Sequence, residues 1–401
     1  MKPTAVLAFT ALSLACSCSK KPAGPLDHVI AITAGKGHAC ALVDGGRVAC
    51  WGDNGAGQTG SSPSVFAGRA TTERPAWVAG LPPVTRVSAG DSHTCAVDRE
   101  GAVWCWGSNH FGEIGKPDLS YSAANPTPTR VPGTGRGGVV AREVVAGAEG
   151  TCVVAEGRKL ACWGSFNELG ATSGVMALTG NRGPGMAPDP QILPIQGVNA
   201  LARSRSHTCA ATSHNTTHGL SCWGVARDGQ LGRPAPPSCA GGVCRKPEPV
   251  EIPSVSPADV EELAAHQVFT CARTKGRDLY CWEHAANALP EAADPKLTAP
   301  SIPKGIDRGA AVGVATFGPA VCALDGAGAV RCFGHDPRRP SPEAVVVAEV
   351  PGATKIALGA GFGCALAAGQ VKCWGAGDLG QLGGGVLVPG GVTSPVAVAA
   401  P

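Results

Sequence analysis

The chain has 401 residues, among them 57 Gly, 34 Pro and 18 Cys, with 44% hydrophobic, 16% charged and a net charge of +3. That balance is too apolar and too weakly charged for a solvated coil, despite the Gly and Pro. It offers no basic footprint for nucleic acid, and the length exceeds one ordinary domain unless the chain is built from repeats.

The N-terminus indicates the compartment. Lys2 is followed by an apolar run from Ala5 to Ala15, too short to cross a bilayer, with small residues before a cut. This pattern predicts a secretory signal. The next residues, Ala15-Cys16-Ser17-Cys18-Ser19-Lys20-Lys21-Pro22, resemble a bacterial lipoprotein signal, in which a Cys becomes the new lipid-bearing N-terminus. The usual pattern has an aliphatic three residues before that Cys, whereas Ser13 precedes Cys16 and Ala15 precedes Cys18. Cys16 is the expected lipidation site and Cys18 the alternative; an ordinary cleaved signal is the other reading. The resulting expectation is a signal over 1–15, a tether over 16–27 and a folded body over 28–401. The body would be lipid-anchored in a bacterial cell envelope, on its periplasmic or its outer-membrane and cell-surface side.

Fourteen Cys then form seven local pairs: Cys40 with Cys50, Cys95 with Cys105, Cys152 with Cys162, Cys209 with Cys222, Cys271 with Cys281, Cys322 with Cys332, and Cys364 with Cys373. The first member recurs every 42 to 62 residues, the mark of a repeat protein. An aromatic always follows the second member: Trp51, Trp106, Trp163, Trp223, Trp282, Phe333 and Trp374. Gly follows the ring in every unit except the fifth, which has Glu283. Four units continue with Gly-[Gln/Glu]-x-Gly: Gly57 to Gly60, Gly112 to Gly115, Gly229 to Gly232, and Gly380 to Gly383. The third keeps only Leu169-Gly170, and units five and six lack the motif.

Within a unit the pattern is β throughout. Cys40 to Val43 and Arg47 to Cys50 flank Asp44-Gly45-Gly46, a hairpin with a three-residue loop. In the last unit the loop is Ala368-Gly369, one residue shorter, and the Cys separation falls from ten to nine. The two Cys therefore stay directly opposite each other. A strand precedes each hairpin, as at Val29 to Ala34, Val84 to Ala89 and Val144 to Ala146. A fourth follows, announced at its head by Pro75, Pro128, Pro249 and Pro395 on an outer edge. We label the four strands A to D.

The runs Ala34 to Leu42 and Gly46 to Gln58, with Ala89 to Val97 and Trp106 to Asn109 in the second unit, resemble the regulator of chromosome condensation repeat. The similarity covers nearly all of residues 28–401, with units five and six degenerate. It implies an all-β fold, a seven-bladed β-propeller of four-stranded antiparallel blades. In eukaryotic relatives such propellers act as guanine-nucleotide exchange factors for a nuclear GTPase, an activity that export would separate from its cytosolic substrate. The family also implies ring closure by strands from both termini in one blade, here Val29 to Thr33 and Val396 to Ala399.

Opposed Cys in an antiparallel pair lie within disulfide reach. Reduced core thiols and a metal site are the alternatives, although zinc sites usually use close CxxC-like pairs, which are absent. Cys239 and Cys244, in a long insertion, are expected to close a small loop. His38, His93 and His207 stand two residues before a hairpin Cys, where the other units have Gly150, Phe269, Ala320 and Phe362. No His ring forms, so these are expected to be structural, bonded to the backbone of the tight A–B turn. His214 and His218, near His207, form the one local His cluster. Asn215-Thr216-Thr217 fits a glycosylation sequon that a bacterial signal makes incidental. No P-loop, Gly-x-Ser-x-Gly elbow, HExxH or recurrent carboxylate pair appears. The expected protein is thus a monomeric, non-catalytic binding propeller without cofactor or metal. Its partner would be a protein or cell-surface ligand, held by the face bearing the C–D loops, above all 171–189 and 233–248. An envelope enzyme using the central mouth is the alternative.

Overall fold

The computed structural model describes residues 25–62, 64–66, 69–116, 124–165, 186–214, 217–225, 229–232, 239, 243–252, 255–266, 269–282, 300–334 and 341–401. The signal, most of the tether, Cys16 and Cys18 lie outside them. The strands form seven separate antiparallel sheets, one per sequence repeat. The first blade runs Val29–Ala34, His38–Val43, Val48–Asp53 and Arg69–Trp77, with Ser64–Phe66 added outside as a fifth strand. The fifth blade has three strands, and the bridge of Cys281 to Ser301 stands in for its fourth. Every strand A touches the strand A of both neighbouring blades, so the seven sheets close a ring around an axis.

Each strand C alternates its two faces, and this places the core. Cys50 points to one face of the sheet and the adjacent Trp51 to the other, as period-two geometry requires. The hydrophobic core accordingly divides into seven clusters, each spanning one seam between blades. In every cluster the disulfide of one blade shares the seam with the ring of the next: Cys40 and Cys50 with Trp106, Cys95 and Cys105 with Trp163. The last seam sets Cys364 and Cys373 against Trp51. The seven hairpin pairs are directly opposed in register and disulfide-bonded, with Cα atoms 4.0–4.1 Å apart. Cys239 and Cys244 make the eighth bridge.

The Gly after the ring is fixed by two constraints. At Gly52, φ is +103°, and a Cβ would collide with the Gly37 carbonyl and Cα of His38 in the A–B turn. Opposite this point strand D bulges. Between the partners of Cys50 and Gly52, strand D spends four steps where strand C spends two, and the same occurs in blades three, four, six and seven. Each of these five bulges holds a proline: Pro75, Pro188 with Pro190, Pro247, Pro342 and Pro395. Proline lacks the ladder donor, so the unpaired bulge is where it does least harm. The expectation of proline at the head of strand D therefore holds for Pro128 alone; strands D begin earlier, at Arg69, Met186, Val243, Ser341 and Val388.

Hydrogen bonds cross the seams at equivalent places. The backbone carbonyl of the Gln or Glu in each Gly-[Gln/Glu]-x-Gly turn accepts the indole N–H of the next blade. Trp106 donates to Gln58 at 2.9 Å, Trp163 to Glu113 at 2.9 Å, Trp282 to Gln230 at 3.0 Å and Trp51 to Gln381 at 2.8 Å. Three of these carbonyls also accept a Thr hydroxyl: Thr94, Thr151 and Thr270. Each Thr in turn meets a His of the preceding blade, Thr94 with His38 at 2.9 Å, Thr151 with His93 at 2.9 Å and Thr270 with His207 at 2.6 Å. Because the hydroxyl proton is committed to the carbonyl, the imidazole Nε2 must donate. The His are structural, but their partner is the next blade rather than their own turn backbone. Only His207 also engages its A–B turn, through Ser204.

The ring closes differently from the expectation. The first blade holds only N-terminal strands and the seventh only C-terminal ones, so no blade is shared between termini. The closing seam is built like the first, second and fourth, with Trp51 donating to the Gln381 carbonyl. A bridge of Pro25 to Ala399 and the bond from Leu26 N to the Val398 carbonyl add to it. Pro25 and Leu26, placed in the tether by the sequence reading, thus pair with the end of the seventh blade.

Two outcomes follow from this packing. Replacing Cys40 and Cys50 together with Ala should lower unfolding free energy by on the order of 2–3 kcal/mol, measured by denaturant titration; peptide mapping without reductant should find each hairpin pair linked. Burial, opposed only by the Asp91 charge, lowers the His38 pKa from 6.5 to about 4, and burial with neighbouring charges lowers that of His93 to about 3. The unfolded chain then takes up these protons first, so stability is whole above about pH 6.5 and is lost progressively toward pH 4. A His38→Phe, Thr94→Val double variant, imitating the Phe269–Val321 seam, should lose roughly 3 kcal/mol less over that range.

Candidate functional site

Strands A to D alternate in direction, so A–B turns and C–D connections share one face. Backbone bonds join them there: Asp53 N donates to the Gly37 carbonyl, Ser108 N to Ser92 and Ala376 N to Gly361. Two features stand out on this face, an apolar cavity at one seam and a cluster of charges at the axis.

The cavity, of about 580 Å³, opens between the sixth and seventh blades. Phe333, Val345 and Val347 line it from the sixth blade, and Phe362, Trp374 and Val392 from the seventh. Its size lies within the usual range of ligand pockets. The sequence accounts for it through what this seam lacks. The sixth unit has no Gly-[Gln/Glu]-x-Gly turn, Ala320 stands where three other blades carry His and two carry Phe, and Gly363 stands where four others carry Thr. At the preceding seam, which also lacks the turn, Phe269 occupies the space, packing edge-on to Phe333 with centroids 6.4 Å apart. Ala320 is too small to do this. At the cavity rim Val345 and its neighbour Val346 are 38% and 39% exposed, two of the five large hydrophobic side chains that reach solvent among the described residues.

At the axis the A–B turns are tied to one another. Ala360 N donates to the Lys36 carbonyl, Lys36 N to that of Asp91 and Asp91 N to that of Gly147, which links blades seven, one, two and three. Asp91 then reaches across the axis. Its carboxylate lies 3.6 Å from Nε2 of His266 in the fifth blade and 3.8 Å from Arg205 in the fourth. His266 Nδ1 accepts the amide of Gly318 in the sixth blade at 2.6 Å and stacks on Phe317. Burial opposes ionisation of Asp91, but His266, Arg205 and Lys36 outweigh it and hold the carboxyl below its usual range. Glu149 nearby is shifted the other way, raised mainly by burial despite Arg205. Sequence reading missed this cluster, whose members come from five blades and share no motif.

The remaining predicted positions divide. Much of the 171–189 and 233–248 stretches lies outside the described residues, yet 186–192 and 243–249 are strand rather than loop. Ala210 to Ser221 is a lengthened hairpin, paired out to His214 with Thr217. Cys209 and Cys222 stay opposed within it. His218 bonds Ser213 at 2.9 Å, and among the described residues no three His, Cys, Asp or Glu are grouped to hold a metal.

Comparison with known proteins agrees with the architecture. Two descriptions of the regulator of chromosome condensation (RCC1) repeat match, one at residues 29–58 and 84–113, the other at 45–97 and 100–154. The RCC1 domain-containing protein RUG3, mitochondrial, of Arabidopsis thaliana is 28% identical over 60% of this chain and 50% of its own. The Ultraviolet-B receptor UVR8 of the same plant is 26% identical over 64% of this chain and 53% of its own. The chain spans from a tenth to about half the length of the first curated relatives it matches. Human WBSCR16 superposes with a TM-score of 0.70 at 17% identity, covering 88% of this chain and 95% of that one, a likeness of fold alone. Residues 29–154 match the regulator of chromosome condensation (RCC1) repeat, and the chain folds as a seven-bladed β-propeller.

Proposed function

We propose that this protein is a non-catalytic binding propeller, tethered to a bacterial cell envelope by lipid on Cys16, or on Cys18, that recognises a protein or cell-surface ligand through its A–B and C–D face. The observation that carries the reading is the apolar cavity on that face, rimmed by exposed valines on a rigid ring. Connections between rigid elements are where recognition usually resides. UVR8, similar to this chain in sequence, is a receptor, which is consistent with a recognition role.

The mature protein, immobilised and offered envelope extract, should retain a partner that Val345→Lys at the cavity rim releases. Asp44→Lys, at the tip of an opposite-face hairpin, should leave capture unchanged. The reverse pattern would move the binding face to the B–C hairpins.

A catalytic centre at the axis is the second reading, favoured by one observation: the Asp91 and Glu149 pKa values are pushed in opposite directions, the mark of acid and base pairs. Against it, Asp91 is engaged by His266 and Arg205, and the turns around it are tied by backbone bonds. Asp91 acts as a bolt between blades two, four and five. Asp91→Asn should therefore lower stability at pH 7 by on the order of 1 kcal/mol. Since the folded pKa is depressed, the deficit should persist above about 3.8 and close as pH falls through the lower folded value. An unaltered denaturation curve at pH 7 would leave the carboxylate free for chemistry.

A further inference from the structure

We infer that the cavity between the sixth and seventh blades is the seat of a missing turn, and that it takes a protein loop of the form Gly-x-aliphatic-Gly supplied by the partner. This rests on the binding role proposed above and specifies the partner's chemistry.

The intact seams show what the seat is shaped to hold. In the first, second, fourth and seventh blades, Thr59, Ile114, Leu231 and Leu382 follow the Gln or Glu of the turn and are each 1% exposed or less. The flanking glycines all have positive φ, between 64° and 83°, and a bond runs from the last Gly N to the first Gly carbonyl. The turn thus delivers two things to the next blade: a buried plug, aliphatic in three of the four, and a carbonyl for its indole. Gly57, Gly60 and Gln58 lie against the second blade at Asn125–Pro126, the Trp106 indole and Gly107. The equivalent surfaces at the sixth seam, Trp374, Gly375 and the 390–393 stretch of strand D, line the cavity. The Trp374 indole N–H has no hydrogen-bond partner among the described residues, whereas four other indoles donate to a turn carbonyl.

Candidate occupants narrow from there. The sixth unit's own connection, residues 335–340, reads His-Asp-Pro-Arg-Arg-Pro and contains no aliphatic side chain. Turns from a second copy are unsuitable, because Ile114, Leu231 and Leu382 are committed to their own seams. A free acyl chain would fill the apolar volume but offer no carbonyl to Trp374 at the required depth. A loop from another protein satisfies both demands.

The test uses the mature protein and a synthetic octapeptide, Gly-Asp-Leu-Gly-Gln-Leu-Gly-Gly, copied from residues 377–384. Its addition at millimolar concentration should shift one indole N–H resonance, the one absent from Trp374→Phe. The same peptide with its second Leu changed to Asp should bind about tenfold more weakly or worse, since the plug would carry a charge into the seam. Trp374→Phe should weaken binding several-fold without abolishing it, followed through the methyl signals of Val345 and Val347. The inference is overturned if the Trp374 signal stays put with peptide, if both peptides bind alike, or if a short fatty acid shifts it and the peptide does not. Should partner capture depend on Val345 while the peptide fails, the binding face stands and the seat hypothesis falls.

Discussion

The Cys–aromatic step in strand C governs the whole molecule. Two neighbouring residues on a strand must face opposite ways, so one dipeptide supplies both walls of a blade: a disulfide toward the next blade and a ring toward the previous one. Repetition then matches disulfide to ring at every seam, including the last, where Trp51 meets Cys364 and Cys373. Closure needs no strand exchanged between termini, because the seventh seam sets a disulfide against a ring as every other seam does. The small hairpin core that a single blade could form would not hold by itself; the apolar surface is buried only between neighbours.

The seam also accounts for the polar residues that sit deep inside it. A buried indole N–H, a buried imidazole and a buried hydroxyl would each be costly alone. Here the indole and the hydroxyl converge on one carbonyl of a glycine-flanked turn, the imidazole donates to that hydroxyl, and the turn is held by nearby side chains: Gln58 Oε1 accepts Ala56 N, and Asn54 Oδ1 accepts Thr59 N. At the fifth and seventh seams the imidazole and its Thr partner are both replaced. Phe269 faces Val321, and Phe362 faces Ala39, in place of each His–Thr pair. At Gly150 a third solution appears, with the Arg203 guanidinium of the next blade lying over the backbone where a side chain would clash.

How much of this was legible follows from sequence separation. The hairpins, the opposed Cys and the blade number were readable because strand pairing is written in a local period of two, and compensation between loop length and Cys spacing fixed the register. Strands D were placed too late because the bulge opposite the ring–Gly step separates proline from the strand's start. The partners of His38 and His93 were missed although the signal existed: each His is answered by Thr one repeat later, a correlation visible only on aligning units. The Asp91–His266 contact has no such trace, because its residues stand 175 positions apart and recur in no other unit.

The cavity belongs to yet another class, a site made by omission. Units five and six read as decay, since they lack the turn, and one has Phe333 for Trp. Comparing the two seams separates neutral loss from an opening. Both lost the turn, but the first is refilled by Phe269 and the second, with Ala320, is not. Seams between blades contribute nearly independently, as nearest-neighbour contacts do in repeat proteins, so opening one leaves the other six intact. The ring thereby tolerates a defect of this size without loss of shape, which is what a binding site on a rigid frame requires. The open seam lies next to the closing one, where Trp51 is bonded to Gln381. The seventh blade is thus held on one side by disulfide, ring and turn contacts and left accessible on the other, so its Trp374 can meet a ligand without releasing the ring.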